Sequence, residues 1–130
     1  MSRRRPAALL LLLPALALAG CGGGGDDAPS TAGAVTAAGD PAAQTATVVG
    51  NAQLEFVPQT VRAKVGTLSL TMTIEGGVPH DLRFEDGTLG PEIPVTTTGS
   101  ATQSYTFAEP GDYGFVCTLH PRMVGQVVVG

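Results

Sequence analysis

Between Leu68 and Ile74 every second residue is large and apolar: Leu68, Leu70, Met72 and Ile74 alternate with Ser69, Thr71 and Thr73. A period of two buries one face of a strand and leaves the other polar. The same period returns at His80, Leu82 and Phe84, and again at Tyr113, Phe115 and Cys117. Residues 102–107 are rich in β-formers, and residues 127–129 read as a closing strand. No window of ten or more residues has helical periodicity. Glu109-Pro110-Gly111-Asp112 fits a type II turn, with Pro setting φ and Gly supplying a positive φ. Seven or eight short strands punctuated by Gly and Pro predict an all-β Greek-key sandwich over residues 47–130. Trp is absent and aromatics are few, so the core must be built mainly from Val, Leu, Ile and Phe.

The chain has 130 residues, which allows one such domain and little more. Its start reads as an export signal. Arg3, Arg4 and Arg5 precede an apolar run over residues 7–19 that is too short to span a bilayer of ~30 Å hydrocarbon. Leu18-Ala19-Gly20-Cys21 is similar to a bacterial lipoprotein processing site, which implies cleavage before Cys21 and lipidation of its thiol. The sequence is thus divided into a signal peptide (1–20), a lipidated N-terminus with a Gly/Ala-rich flexible linker (21–46), and the folded domain. A linker of ~25 residues has a typical reach of ~25–30 Å. The expected location is the extracytoplasmic side of a membrane, periplasmic or at the cell surface, with the lipid as anchor.

Charge narrows the partners. After residue 20 the chain keeps four cations (Arg62, Lys64, Arg83, Arg122) against eleven acids, a formal charge of −7. That excludes a nucleic-acid footprint, which must be basic. It also disfavours adsorption to anionic lipid and favours a basic protein partner.

Two cysteines and two histidines occur in the whole chain. With Cys21 lipidated, Cys117 is the one free thiol and no intramolecular disulfide is possible. A lone thiol in an oxidising compartment is a liability unless it has a task. Cys117-Thr118-Leu119-His120-Pro121-Arg122-Met123 places a thiolate, an imidazole and a thioether on one short loop, and Val78-Pro79-His80-Asp81 supplies the other imidazole. Two imidazoles, one thiolate and one weak thioether are the ligand set of a blue-copper site, so His80, Cys117, His120 and Met123 are the candidate ligands of one copper ion. Each residue has a plainer reading: Cys117 a buried structural thiol, Cys117 with His120 a nucleophile and base, Met123 core filler. Structural zinc sites use Cys and His rather than Met.

The domain from about Thr47 to Gly130 resembles the cupredoxins of the plastocyanin, pseudoazurin and amicyanin group. The resemblance rests on Phe56-Val57-Pro58, Val78-Pro79-His80-Asp81, the approach Tyr105-Thr106-Phe107 to Pro110-Gly111-Asp112-Tyr113, the ligand loop, and Gly125-Gln126-Val127-Val128-Val129. It implies a β-sandwich, one copper, and His120 as the exposed ligand through which electrons leave. It also implies Phe115 on the covalent path from Cys117. The family usually has Asn after the first histidine; here it is Asp81. An ionised Asp81 can only accept, from the Thr118 hydroxyl or backbone, and it would favour Cu(II).

Composition then selects among copper functions. Two histidines cannot build the second site of a multicopper oxidase or nitrite reductase, and one loop cysteine cannot build a dinuclear centre. The expectation is an electron carrier and not an enzyme, monomeric, serving a cytochrome or dehydrogenase. Leu89, Pro91, Pro94, Leu119 and Pro121 are the candidate docking rim. The competing expectation is a lipoprotein that passes copper without redox work. Such proteins tend to carry Met- or His-rich tracts, and only three methionines occur here. A metal-free interaction module is the third.

Overall fold

The computed structural model describes residues 33–130. The export signal and Cys21 lie outside the described residues. Ten strands follow in order: β1 (Ala34–Thr36), β2 (Gln44–Gly50), β3 (Phe56–Val57), β4 (Thr60–Ala63), β5 (Gly66–Ile74), β6 (His80–Phe84), β7 (Ile93–Thr96), β8 (Ser100–Phe107), β9 (Gly111–Val116) and β10 (Val124–Val129). They form a six-stranded sheet ordered β1-β4-β10-β9-β6-β7 and a four-stranded sheet ordered β3-β2-β5-β8. Neighbours that are not consecutive in sequence mark the crossovers of a sandwich. Ten strands replace the expected seven or eight. The additions are short, and β3 has only two residues, too few for alternation to register.

The alternation fixes which face turns inward. Leu68, Leu70, Met72 and Ile74 are all buried on β5, as their period requires. They meet Leu82, Phe84, Phe115 and Val127 of the opposite sheet in one core. Phe84 is its hub, packing edge-on to Tyr105 at 4.6 Å, Phe115 at 5.6 Å and Phe107 at 5.8 Å between centroids. Such aromatic pairs are worth ~0.5–1.5 kcal/mol each beyond area burial. Gly125 lets β10 pass close to the core, since a Cβ there would lie 2.4 Å from the Phe115 ring. Tyr105 is fully buried and its hydroxyl has no hydrogen bond, although the Ile93 backbone lies nearby. Burial, with some help from Glu92, pushes its phenol up to about 12.

The outward face of the β5–β8 pair carries a ladder of hydroxyls. Thr67 meets Thr106, Ser69 meets Ser104, Thr71 meets Thr102 and Thr73 meets Ser100, at 2.8–3.4 Å. Cross-strand pairs of this kind add a few tenths of a kcal/mol each, up to ~1. Parallel pairing of β2 with β5 places Thr45 and Thr47 beside Ser69 and Thr71, so they extend the same face.

Two sequence expectations need correction. The residues expected as flexible linker up to 46 include part of the sandwich: β1 pairs in parallel with β4, and β2 begins at Gln44. Gln44 is buried, its amide donating to Lys64 O at 2.9 Å while its carbonyl accepts from Lys64 N at 2.7 Å. A polar residue and a small one (Ala46) occupy the first two inward positions of β2, so no apolar period announces its start. The expected type II turn at Glu109–Asp112 is also absent. Gly111 has φ 159°, nearly extended, and the corner is closed instead by the Tyr113 hydroxyl donating to Glu109 O at 2.7 Å.

The ordered start of the domain is testable. A chain beginning at Thr47 loses the Gln44 clamp and half of β2, and its thermal midpoint is expected to fall well below that of a chain beginning at Gly33. Gln44→Ala alone removes both short hydrogen bonds to Lys64 and a longer one to Pro41 O, roughly 2 kcal/mol, which corresponds to a drop of about 8–16 °C in thermal unfolding.

Candidate metal centre

Strand directions bring the chemistry to one end of the sandwich. β6 starts at His80, and β9 runs antiparallel to it, with Phe84 opposite Phe115 and Arg83 opposite Val116. The start of β6 therefore lies beside the end of β9, where the loop from Cys117 to Met123 begins. That loop is short and internally bonded. Cys117 N donates to Met123 O (3.0 Å), Met123 N to His120 O (2.9 Å), and His120 N to Cys117 O (3.4 Å).

The structure brings three of the four expected ligand donors within bonding reach of one point. Cys117 Sγ lies 3.9 Å from His80 Nδ1 and 3.5 Å from His120 Nδ1, and the three donor atoms all lie within 4.8 Å of one another. Donors at metal–ligand distances of about 2.0–2.3 Å in a trigonal plane sit roughly 3.5–4 Å apart, so the spacing fits one ion. Met123 is buried at the end of the same loop. His80, Cys117 and Met123 are at most 2% exposed, while His120 is half-buried.

His80 is set by its surroundings. Its Nε2 faces Asn51 O at 2.9 Å. A carbonyl only accepts, so Nε2 carries the proton and Nδ1 keeps its lone pair for the metal. Gly50 backs the ring: a Cβ there would lie 2.7 Å from His80 Cδ2. Burial holds the His80 imidazole below its ordinary range, which keeps it neutral and able to ligate. Burial also pushes the Cys117 thiol up. That is the reverse of what a thiol nucleophile needs and counts against the nucleophile-and-base reading.

Asp81 is buried and does what the sequence suggested for an acceptor. One carboxylate oxygen accepts from Thr118 N at 2.6 Å and the other from the Thr118 hydroxyl. Phe115 is buried two residues before Cys117 and packs on Phe56 and Phe84.

The expected rim is divided. Leu119 is 45% exposed in the ligand loop, and Pro121 lines a pocket of about 290 Å³ with His120, Arg122, Met123 and Leu54. Leu89 instead packs half-buried against the core, and Gly90 beside it lies against Tyr105. Pairing places Thr96 opposite His80 and Ile93 opposite Leu82, so Leu89 and Pro91 run toward the far end of β6. Pro94 is exposed on β7 and does not line the pocket. Gly50, Asn51 and Leu54 were not anticipated. The only sequence hint was a Gly-Asn pair after a possible strand, which reads as a plain turn.

Comparison with known proteins agrees with this geometry. Residues 43–130 match the family described as copper binding proteins of the plastocyanin/azurin family. Amicyanin-alpha of Methylorubrum extorquens is 35% identical over 88 residues, covering 64% of this chain and 71% of that protein. Amicyanin of Paracoccus denitrificans is 35% identical over 86 residues, covering 65% of each. The solved structure of a methionine-to-glutamine variant of amicyanin in the Cu(I) state is similar with a TM-score of 0.54 and 31% identity, over 66% of this chain and 82% of that one. Auracyanin A, a blue copper protein of Chloroflexus aurantiacus, shares the fold with a TM-score of 0.55 at 17% identity, over 68% and 99% of the two chains. With its two imidazoles, one thiol and one methionine gathered at the end of a β-sandwich, the chain belongs to the plastocyanin/azurin family of copper binding proteins.

Proposed function

We propose that this domain is a mononuclear type 1 copper protein that carries single electrons outside the cytoplasm and is not itself an enzyme. The observation that carries the reading is the convergence of His80 Nδ1, Cys117 Sγ and His120 Nδ1 within 4.8 Å, closed by buried Met123. A copper ion held there supplies one-electron cycling between Cu(I) and Cu(II), with soft sulfur and imidazole acceptable to both states. The protein's part is to hold the donors still. Hydrogen bonds inside the ligand loop, the Asp81–Thr118 clamp and the Asn51 carbonyl on His80 each fix one donor's position. Little rearrangement then accompanies each transfer.

His120 is the half-buried member of the set and the exit route we propose. Exposed Leu54, Leu119 and Pro121 support an apolar contact face around it. A redox protein, such as a cytochrome or a dehydrogenase, would dock there, and we take the carrier to work as a monomer. The processing-site sequence at Cys21 supports a lipid-anchored carrier on the extracytoplasmic side. Tethering raises its effective concentration near membrane-bound partners.

The visible and EPR spectra of the Cu(II)-loaded domain test the whole reading. An intense thiolate-to-copper band with narrow parallel hyperfine splitting is expected, and Cys117→Ser should abolish both. A pale, ordinary Cu(II) spectrum would move copper passage without redox work to the front.

Asp81 places a carboxylate next to a ligand. Asp81→Asn should raise the reduction potential by roughly 60 mV, a tenfold change in the Cu(II)/Cu(I) ratio. A potential that barely moves would remove the electrostatic role of Asp81.

Leu119→Glu tests the contact face. It should cut the second-order rate of electron exchange with an apolar-faced redox partner about tenfold, with the blue spectrum and the potential unchanged; equal rates would place docking elsewhere.

A further inference from the structure

His80 donates its hydrogen bond to an irregular loop and not to a strand, and one side chain gives that loop its shape. Asn51 follows Gly50 at the end of β2. Its Oδ1 accepts from Gln53 N and Glu55 N, each at 3.0 Å. Its own backbone N donates to Glu55 O at 3.1 Å, and its Nδ2 approaches Glu55 Oε2 at 3.5 Å. Two amide donors facing one atom settle that atom as the oxygen. Asn51 O is thereby held by the loop, where it accepts from Leu54 N at 3.2 Å and from His80 Nε2 at 2.9 Å. Both lone pairs of that carbonyl are occupied.

The closure holds Leu54 at φ 63°, a left-handed conformation that is unfavourable for a residue other than glycine. A backbone outlier persists where its surroundings over-determine it, and here the surroundings are the bonds made by Asn51. Gly50 completes the cradle, because its missing side chain leaves the His80 ring room to reach that carbonyl.

We propose that Asn51 is a positioning residue for the copper ligand His80: its side chain sculpts the loop so that its main-chain oxygen meets Nε2. The proposal rests on the electron-carrier reading for its consequence. A held Nε2–H···O bond makes the imidazole a better donor and favours Cu(II) over Cu(I).

The test compares the whole protein with Asn51→Ala, copper-loaded and metal-free. In the alanine variant the preference for Cu(II) over Cu(I), read as the ratio of the two affinities, should fall tenfold or more. In the metal-free protein the His80 Nε2–H proton, seen by ¹⁵N–¹H NMR, should exchange too fast to observe. Asn51→Asp, which keeps an oxygen for the two amides, should restore that resonance. Asn51→Ser keeps a single acceptor, should fall between, and covers the case in which the alanine variant does not fold. A wild-type affinity ratio and an intact His80 resonance in Asn51→Ala or Asn51→Ser, with only the thermal midpoint lowered, would overturn the proposal and leave Asn51 a loop-folding residue. A wild-type protein that binds copper without a blue band would instead defeat the electron-carrier reading, and the metal-free resonance would still decide the positioning role.

Discussion

Two stretches of backbone must keep register for four side chains to meet: the start of β6 and the turn that follows β9. The carboxylate of Asp81 ties them. Each of its oxygens is taken by Thr118, one by the amide and one by the hydroxyl. A carboxylate is costly to bury unless its oxygens are satisfied, and this one is satisfied across the seam it has to hold. The neighbours of the two clamped residues are ligands: His80 precedes Asp81, and Cys117 precedes Thr118. Position is therefore set through the main chain, one residue away from the chemistry.

Burial shifts the proton affinities of two buried donors, Cys117 and His80, in opposite directions. It disfavours the thiolate of Cys117 and the imidazolium of His80, lowering the imidazole's proton affinity and raising the thiol's. A cation reverses the balance for the thiol alone, because it stabilises the thiolate and accepts the neutral imidazole as it stands.

Much of this was legible in the residues, and the reasons differ by element. β5 announces itself because four large apolar side chains fall on its inward face. The ligand loop is legible because its donors are scarce: with two histidines and two cysteines in the whole chain, few arrangements are possible. The beginning of β2 was hidden, since Gln44 satisfies itself inside the fold through Lys64 and gives no apolar cue. The rim was half-legible. Leu119 and Pro121 sit in the loop itself, whereas the place of Leu89 depends on the β6–β7 pairing, which no local pattern reveals. Leu54 and Asn51 reach the site through a turn whose shape arises from hydrogen bonds between backbone and one amide side chain. Such a turn has no periodicity.

The hydroxyl ladder on β5 and β8 has a consequence for how the molecule is approached. Together with Thr45 and Thr47 it makes one broad face with no formal charge, on a chain whose acids outnumber its bases. The field lines of the protein must then leave from its edges and loops. A charged visitor arriving at the ladder feels little pull and little torque there, and drifts on. Collisions on that side are brief, and the fruitful ones are left to the end of the sandwich that carries the copper-binding residues.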